Sequence, residues 1–174
     1  MNLDYDREMV TLGLLTPAHA DAMLRWMLDP TVSKNLGLRS EPSAEKTAQW
    51  LDRAAGDDTI EARAILLDGQ HVGNVVLDQI DRHVSRARLS IYVGETSARS
   101  RGVGKSAVQL ALDLAFGDLG LHKVWLTVHE RNAAAIAAYK AVGFVVEGTH
   151  RNEFVLDGER LAEIYMGALV TDRR

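Results

Sequence analysis

Residues 99–104 read Arg-Ser-Arg-Gly-Val-Gly, and they stand between two segments of different period. Before them, "RARLSIYVG" (86–94) alternates, as a half-buried strand does. After them, Val103, Ala107, Leu110, Ala111 and Leu114 recur as one helical stripe, and Gly120 suits the helix end. A strand, a short glycine turn and a helix start form an anion-binding corner. Glycines lack the Cβ atoms that would keep backbone N–H groups from closing on an oxyanion. The helix start adds roughly half a positive charge. Arg99, Arg101 and Lys105 add whole ones, which suits a pyrophosphate. Gly104-Lys105-Ser106 is also the ending of a nucleotide-binding P-loop. That motif needs glycine where Arg99 stands, and it follows the first strand of a parallel sheet. Here the loop follows the fourth strand, and no later strand ends in a magnesium-binding aspartate. A P-loop is not expected.

The remaining pattern is that of one mixed α/β domain over residues 1–174. "MVTLGLL" (9–15) reads as a strand, and Thr16-Pro17 opens a helix that Asp29-Pro30 closes. Pro42-Ser43 opens a second helix, which ends near Gly56. "EARAILLDGQHVGNVVLDQI" is two strands around an Asp68-Gly69 turn. "HKVWLTVHE" (122–130) is a strand, and residues 132–143 are a helix capped by Asn132 and ended by Gly143. A hairpin around Asp157-Gly158 closes the chain. The order is β-α-α-β-β-β-α-β-α-β-β.

Composition removes whole classes. The net charge of −4 lacks the basic excess of a nucleic-acid-binding domain. The absence of cysteine excludes disulfides, thiolate metal sites and a cysteine nucleophile. His71, His83, His122 and His150 do not fall at metal-ligand spacing, so no metal is expected. The opening "MNLDYDREMV" is too charged for a signal peptide, and no apolar run approaches a membrane span. A cytoplasmic protein without a membrane partner is the expectation, with a homodimer left open.

A second motif follows the next strand. Asn132, Ile136, Tyr139 and Gly143-Phe144 have the spacing N-x3-I-x2-Y-x3-G-F. Together with R-x-x-G-x-G and the element order, it resembles the GNAT superfamily of acetyl-CoA-dependent N-acetyltransferases. "DGQHVGNVVLDQID" and "VVEGTHRNEFVLDGERLAEIYM" resemble the branch holding ribosomal-protein-alanine and spermidine acetyltransferases. The resemblance implies a mixed, mostly antiparallel sheet of six or seven strands flanked by about four helices, with acetyl-CoA as co-substrate. It implies that backbone groups of Ile91, Tyr92 and Val93 pair with the pantetheine arm where two strands splay. It places the pyrophosphate on the amides of Arg99, Ser100, Arg101, Gly102, Val103, Gly104 and Lys105. Asn132 either touches the cofactor arm or only caps its helix. Tyr139 matches the tyrosine that protonates the departing thiolate, and a backbone N–H near Val93 would polarise the acetyl oxygen. A module that binds coenzyme A without turnover is the reading from a different class, and Tyr139 in register speaks against it.

The acceptor side departs from the branch. Many members carry glutamate early in the fourth strand, where this chain has Arg88. A cation there cannot take the amine's proton, and it would disfavour a cationic acceptor. His129 and Asp78 are the candidate bases, with a water chain as the third. Trp26, more often a core residue, is a candidate wall of the acceptor site. The resulting expectation is an amino sugar or sugar nucleotide, with a protein N-terminus or a polyamine as alternatives.

Overall fold

The computed structural model describes residues 9–172. The charged stretch read above as unlike a signal peptide lies almost wholly outside them. Strand β1 (Val10–Leu14) leads to helices α1 (Ala20–Leu28), α2 (Pro30–Ser33) and α3 (Ala44–Gly56). Strands β2 (Glu61–Leu67), β3 (Gln70–Asp81) and β4 (Arg86–Val93) follow as a meander. Helix α4 (Val103–Asp113), β5 (Lys123–His129) and α5 (Ala133–Ala141) come next, then β6 (Val145–Leu156) and β7 (Glu159–Leu169). The seven strands form one sheet in the order β1-β2-β3-β4-β5-β7-β6. Every neighbouring pair is antiparallel except β4 and β5. This is the mixed, mostly antiparallel fold that the resemblance implies.

Local differences from the expectation have local causes. Asp29-Pro30 does not end helical structure; it starts α2. The Asp29 carboxylate accepts hydrogen bonds from the Thr31 N–H and hydroxyl, and proline suits the first helical position. The long helix after the glycine loop is regular only to Asp113 and then widens into a π turn over Leu114–Asp118, before left-handed Gly120 ends it. The Asp68-Gly69 and Asp157-Gly158 turns form as expected, with both residues of each pair at positive φ.

One face of the sheet is the main core. Leu77, Leu89, Leu126 and Met166 from four strands close on Ala107, Val108 and Leu112 of α4. Helices α1 to α3 form a second layer that packs on itself and on β2. No helix among the described residues is long and apolar enough to cross a membrane.

One irregularity organises everything that follows. β4 and β5 pair only from Arg86↔Lys123 to Arg88↔Trp125. Beyond that point β4 stays with β3 as far as Val93, and β5 stays with β7 as far as His129. The two central strands therefore part, and a wedge opens between residues 89–93 and 126–129.

Candidate active site

The wedge is lined by backbone. The Gly94 N–H donates to the Val72 carbonyl across β3. Peptide groups alternate sides along a strand, so Tyr92 also faces β3, while the N–H groups of Ile91 and Val93 face the wedge. The glycine corner lies at the end of this strand. Gly102 is the cap of α4 and is left-handed, with φ of 79°. Ser100 is left-handed as well, with φ of 59°. The amides of Ser100 through Lys105 donate to no protein acceptor among the described residues. A Cβ built on Gly104 would meet only Val93 Cγ2, at 3.8 Å. The space above Gly104 is therefore kept open by the fold rather than filled by it. Arg101 and Lys105 are exposed beside it.

Arg99 does not face that space. Its guanidinium donates to the Val93 carbonyl (3.2 Å), the Gly94 carbonyl (2.7 Å) and the Thr31 hydroxyl (3.0 Å), and it lies 3.9 Å from the Asp29 carboxylate. The expectation that it adds charge to an anion site is corrected. Three carbonyl and hydroxyl acceptors with no other donor hold it back against the strand end.

Helix α5 starts where β5 ends. The Asn132 side chain accepts from the Ala135 N–H at 3.2 Å, which is the capping alternative. Tyr139 is half-buried, with its ring 5.7 Å from that of Phe144. Burial pushes its phenol up to about 12, and no protein group among the described residues bonds its hydroxyl. The phenol is thus fully protonated at neutral pH. Ile91, Val93, Ile136 and Tyr139 all pack against the main core, so Tyr139 stands on the helix-covered side of the sheet.

The opposite side of the wedge corrects several sequence expectations. Arg88 is not a free cation. Its Nε and Nη2 donate to the two oxygens of Asp78 at 2.8 and 2.7 Å, a bidentate pair between register partners on β4 and β3. Asp78 is therefore the counter-ion of Arg88, with one bond to each of its oxygens. His129 is not an exposed strand-end side chain but 4 % exposed. Its Nε2 donates to Asn35 Oδ1 at 2.8 Å, its ring packs against Phe154, and burial lowers its pKa. Trp26 is 3 % exposed and lies directly on Gly94, with its indole N–H donating to Glu95 at 2.9 Å. It is packing, not a ligand platform. The Tyr92 side chain lies in a buried chain in which His71 and Tyr92 both bond Asn74 at 2.8 Å.

Sequence reasoning missed Glu163. It pairs with His129 in the β5–β7 register, and its Oε1 accepts from the Thr127 hydroxyl at 3.3 Å. Nothing in the local spacing marks it, because it is brought to the wedge by β7 lying next to β5. No cluster of side chains able to hold a metal ion occurs among the described residues.

Residues 10–145 match the acetyltransferase (GNAT) domain family. The chain belongs to the GNAT family of acetyltransferases. Among curated GNAT relatives, the spermidine N(1)-acetyltransferase of Escherichia coli K12 is 32 % identical over 108 residues, 62 % of this chain and 58 % of that protein. The match thus spans less than two thirds of that relative's length. The L-amino acid N-acetyltransferase AaaT of the same organism is 30 % identical over 119 residues, 67 % of this chain and 73 % of that protein. The fold is shared with spermidine N-acetyltransferase from Vibrio cholerae in complex with CoA and spermine. That likeness has a TM-score of 0.89 at 21 % identity and covers 95 % of this chain and 98 % of the other. Mycobacterium smegmatis RimJ in complex with CoA-disulfide aligns at TM-score 0.85 and 19 % identity, over 94 % of this chain and 83 % of the other.

Proposed function

We propose that this GNAT chain transfers the acetyl group of acetyl-CoA to a primary amine, and that the acceptor is a cationic alkyl amine of the polyamine class. The observation that carries the transfer reading is the β4–β5 wedge, which ends in a row of unpartnered amides above a glycine with open space. Strand-like N–H groups of Ile91 and Val93 fit an amide-bearing arm, and the amides of residues 100–105 fit its diphosphate. When bound, acetyl-CoA supplies an activated acetyl carbonyl. The Val93 N–H, which faces the wedge, polarises that carbonyl oxygen in this reading. The Tyr139 hydroxyl, protonated and unpaired, gives its proton to the departing sulfur. With no cysteine in the chain, a cysteine acyl-enzyme is excluded and the amine attacks directly.

The acceptor assignment rests on charge. The expected amino-sugar or sugar-nucleotide acceptor relied on Arg88 as an unpaired cation, and Asp78 neutralises it. A cationic amine then meets no net positive charge at that position. The E. coli relative that acetylates spermidine supports the same class. The test is thiol release from acetyl-CoA with spermidine, an L-amino acid, an alanyl peptide and an amino-sugar nucleotide. Spermidine should give the highest kcat/KM. Preference for the sugar nucleotide would refute the acceptor, and no release with any amine would refute the transfer reading.

A further inference from the structure

An amine that arrives as an ammonium ion must lose a proton before it can attack. For a primary alkyl amine of pKa about 10.4, only about 1 molecule in 2,500 is neutral at pH 7, against roughly 1 in 10 for an α-amine near pKa 8. The acceptor side of the wedge therefore needs a free carboxylate or an equivalent. Most acidic groups near it are already engaged. Asp78 is ion-paired with Arg88 through both oxygens, Glu95 is held by Arg25 and Trp26, and Glu147 is held by Lys123. His129 bonds Asn35 through Nε2, and its Nδ1, which has no partner among the described residues, is buried out of reach of solvent.

We infer that Glu163 is the carboxylate that receives the acceptor ammonium and carries its proton away, an inference that rests on the acetyl-transfer reading above. Its position follows from register. Trp125 is the last β5 residue paired with β4. Thr127 is the next residue on the same face, and so the first of that face at the open wedge. The Thr127 hydroxyl holds Glu163 Oε1 at 3.3 Å, while Oε2 has no protein partner among the described residues. Glu163 is half-buried. The charged and titratable groups facing it are Arg88 from β4, His129 from β5 and His150 from β6. Arg88 makes no ion pair with it, because its fork is spent on Asp78. Tyr139 stands on the other side of the sheet, so the two groups face the reacting centre from opposite ends.

The proton balance closes. The ammonium gives one proton to Glu163, which keeps it while the amine attacks and releases it to solvent only after the thiol has formed. As the N–C bond forms and the C–S bond breaks, the nitrogen sheds a second proton. That proton replaces the one Tyr139 gives to sulfur, which leaves an amide, a thiol and one released proton.

The experiment compares wild type with Glu163→Gln, which keeps the acceptor for Thr127 and removes the charge. Thiol release is measured from pH 7 to 9 with spermidine and with an alanyl peptide. At pH 7 the variant should lose about 10²-fold or more in kcat/KM for spermidine and less than tenfold for the peptide. Its spermidine activity should climb about tenfold per pH unit, because it depends on free neutral amine, while wild type stays nearly flat. Glu163→Asp should restore part of the loss. Acetyl-CoA binding, followed by thermal shift, should be unchanged in every variant. Equal losses for both amines with the wild-type pH dependence would show that Glu163 only supports the sheet, and would overturn the assignment. Wild type releasing no thiol with any amine would overturn both this inference and the acetyl-transfer reading.

Discussion

Removing the Asp78 charge should create the electrostatic barrier that the sequence alone suggested and the fold cancels. In Asp78→Asn the amide cannot neutralise Arg88, and a unit positive charge is left beside the acceptor side of the wedge. The Arg88 and Asp78 side chains are 37 % and 23 % exposed, so the pair is only partly shielded from solvent. A cationic group of the acceptor at about 8 Å, with an effective dielectric near 20, would be repelled by about 2 kcal/mol before screening. The Debye length is about 30 Å at 0.01 M salt and about 10 Å at 0.1 M. The repulsion then falls to about 1.6 and about 0.9 kcal/mol, or roughly fifteenfold and roughly fivefold in relative affinity. The assay is the ratio of kcat/KM for spermidine to that for a neutral-tailed alkyl amine, in wild type and variant, at both salt concentrations. The ratio should fall in the variant, and about three times further at low salt. A folded variant whose ratio is unchanged at low salt would refute the claim that Asp78 masks Arg88.

Tyr139→Phe removes one unpaired hydroxyl and keeps the contact with Phe144; kcat should drop at least tenfold with acetyl-CoA affinity nearly constant, and intact turnover would remove Tyr139 from the chemistry. Gly104→Val should abolish the thermal shift given by acetyl-CoA while the apo melting temperature stays near wild type, because only Val93 Cγ2 neighbours the new side chain. Gly94→Ala is the contrasting case: its Cβ would lie 2.0 Å from the Trp26 ring, so the domain should lose about 1–3 kcal/mol and melt earlier. Burial pushes Tyr92 and Tyr139 up to about 12, so their folded-state values lie above the unfolded one near 10. Stability should be complete below about pH 10 and be lost as pH rises towards about 12, with delayed tyrosinate absorbance in the native protein; native titration of both near pH 10 would contradict it.

The two motifs and the hairpin turns were legible because each is local. Asp68-Gly69 fixes a turn by itself, and Gly102 marks a helix start whatever surrounds it. The partners of side chains across the sheet were not legible. Arg88 reads as a free cation until the β3–β4 register sets Asp78 opposite it, and ten residues of sequence separation say nothing about that register. His129 reads as a candidate base until the segment after α2 brings Asn35 onto its Nε2, from far away in the chain. Glu163 is hidden for the same reason: it is one acidic residue among many on the last hairpin. The glycine corner and Tyr139 were therefore readable as candidates from local motifs, and the cross-sheet partners of Arg88, Asp78 and His129 were not.

Arg99 ties the end of β4 to the turn between α1 and α2. Its guanidinium holds the β4 carbonyls at Val93 and Gly94, and at the same time Thr31 and Asp29 at the α1–α2 junction. The peptide chain continues from it directly into the left-handed Ser100 and the unpartnered amides. On the function proposed above, a phosphate on those amides and an amine beside α2 would sit at the two ends of this one fastening. Any coupling between two ligands that share one fastening is the same in both directions. Arg99→Lys keeps the charge but lacks the fork, so if the fastening couples the two proposed ligands, the effect of spermidine on acetyl-CoA affinity, read by titration, should shrink in the variant; an unchanged effect would refute the coupling.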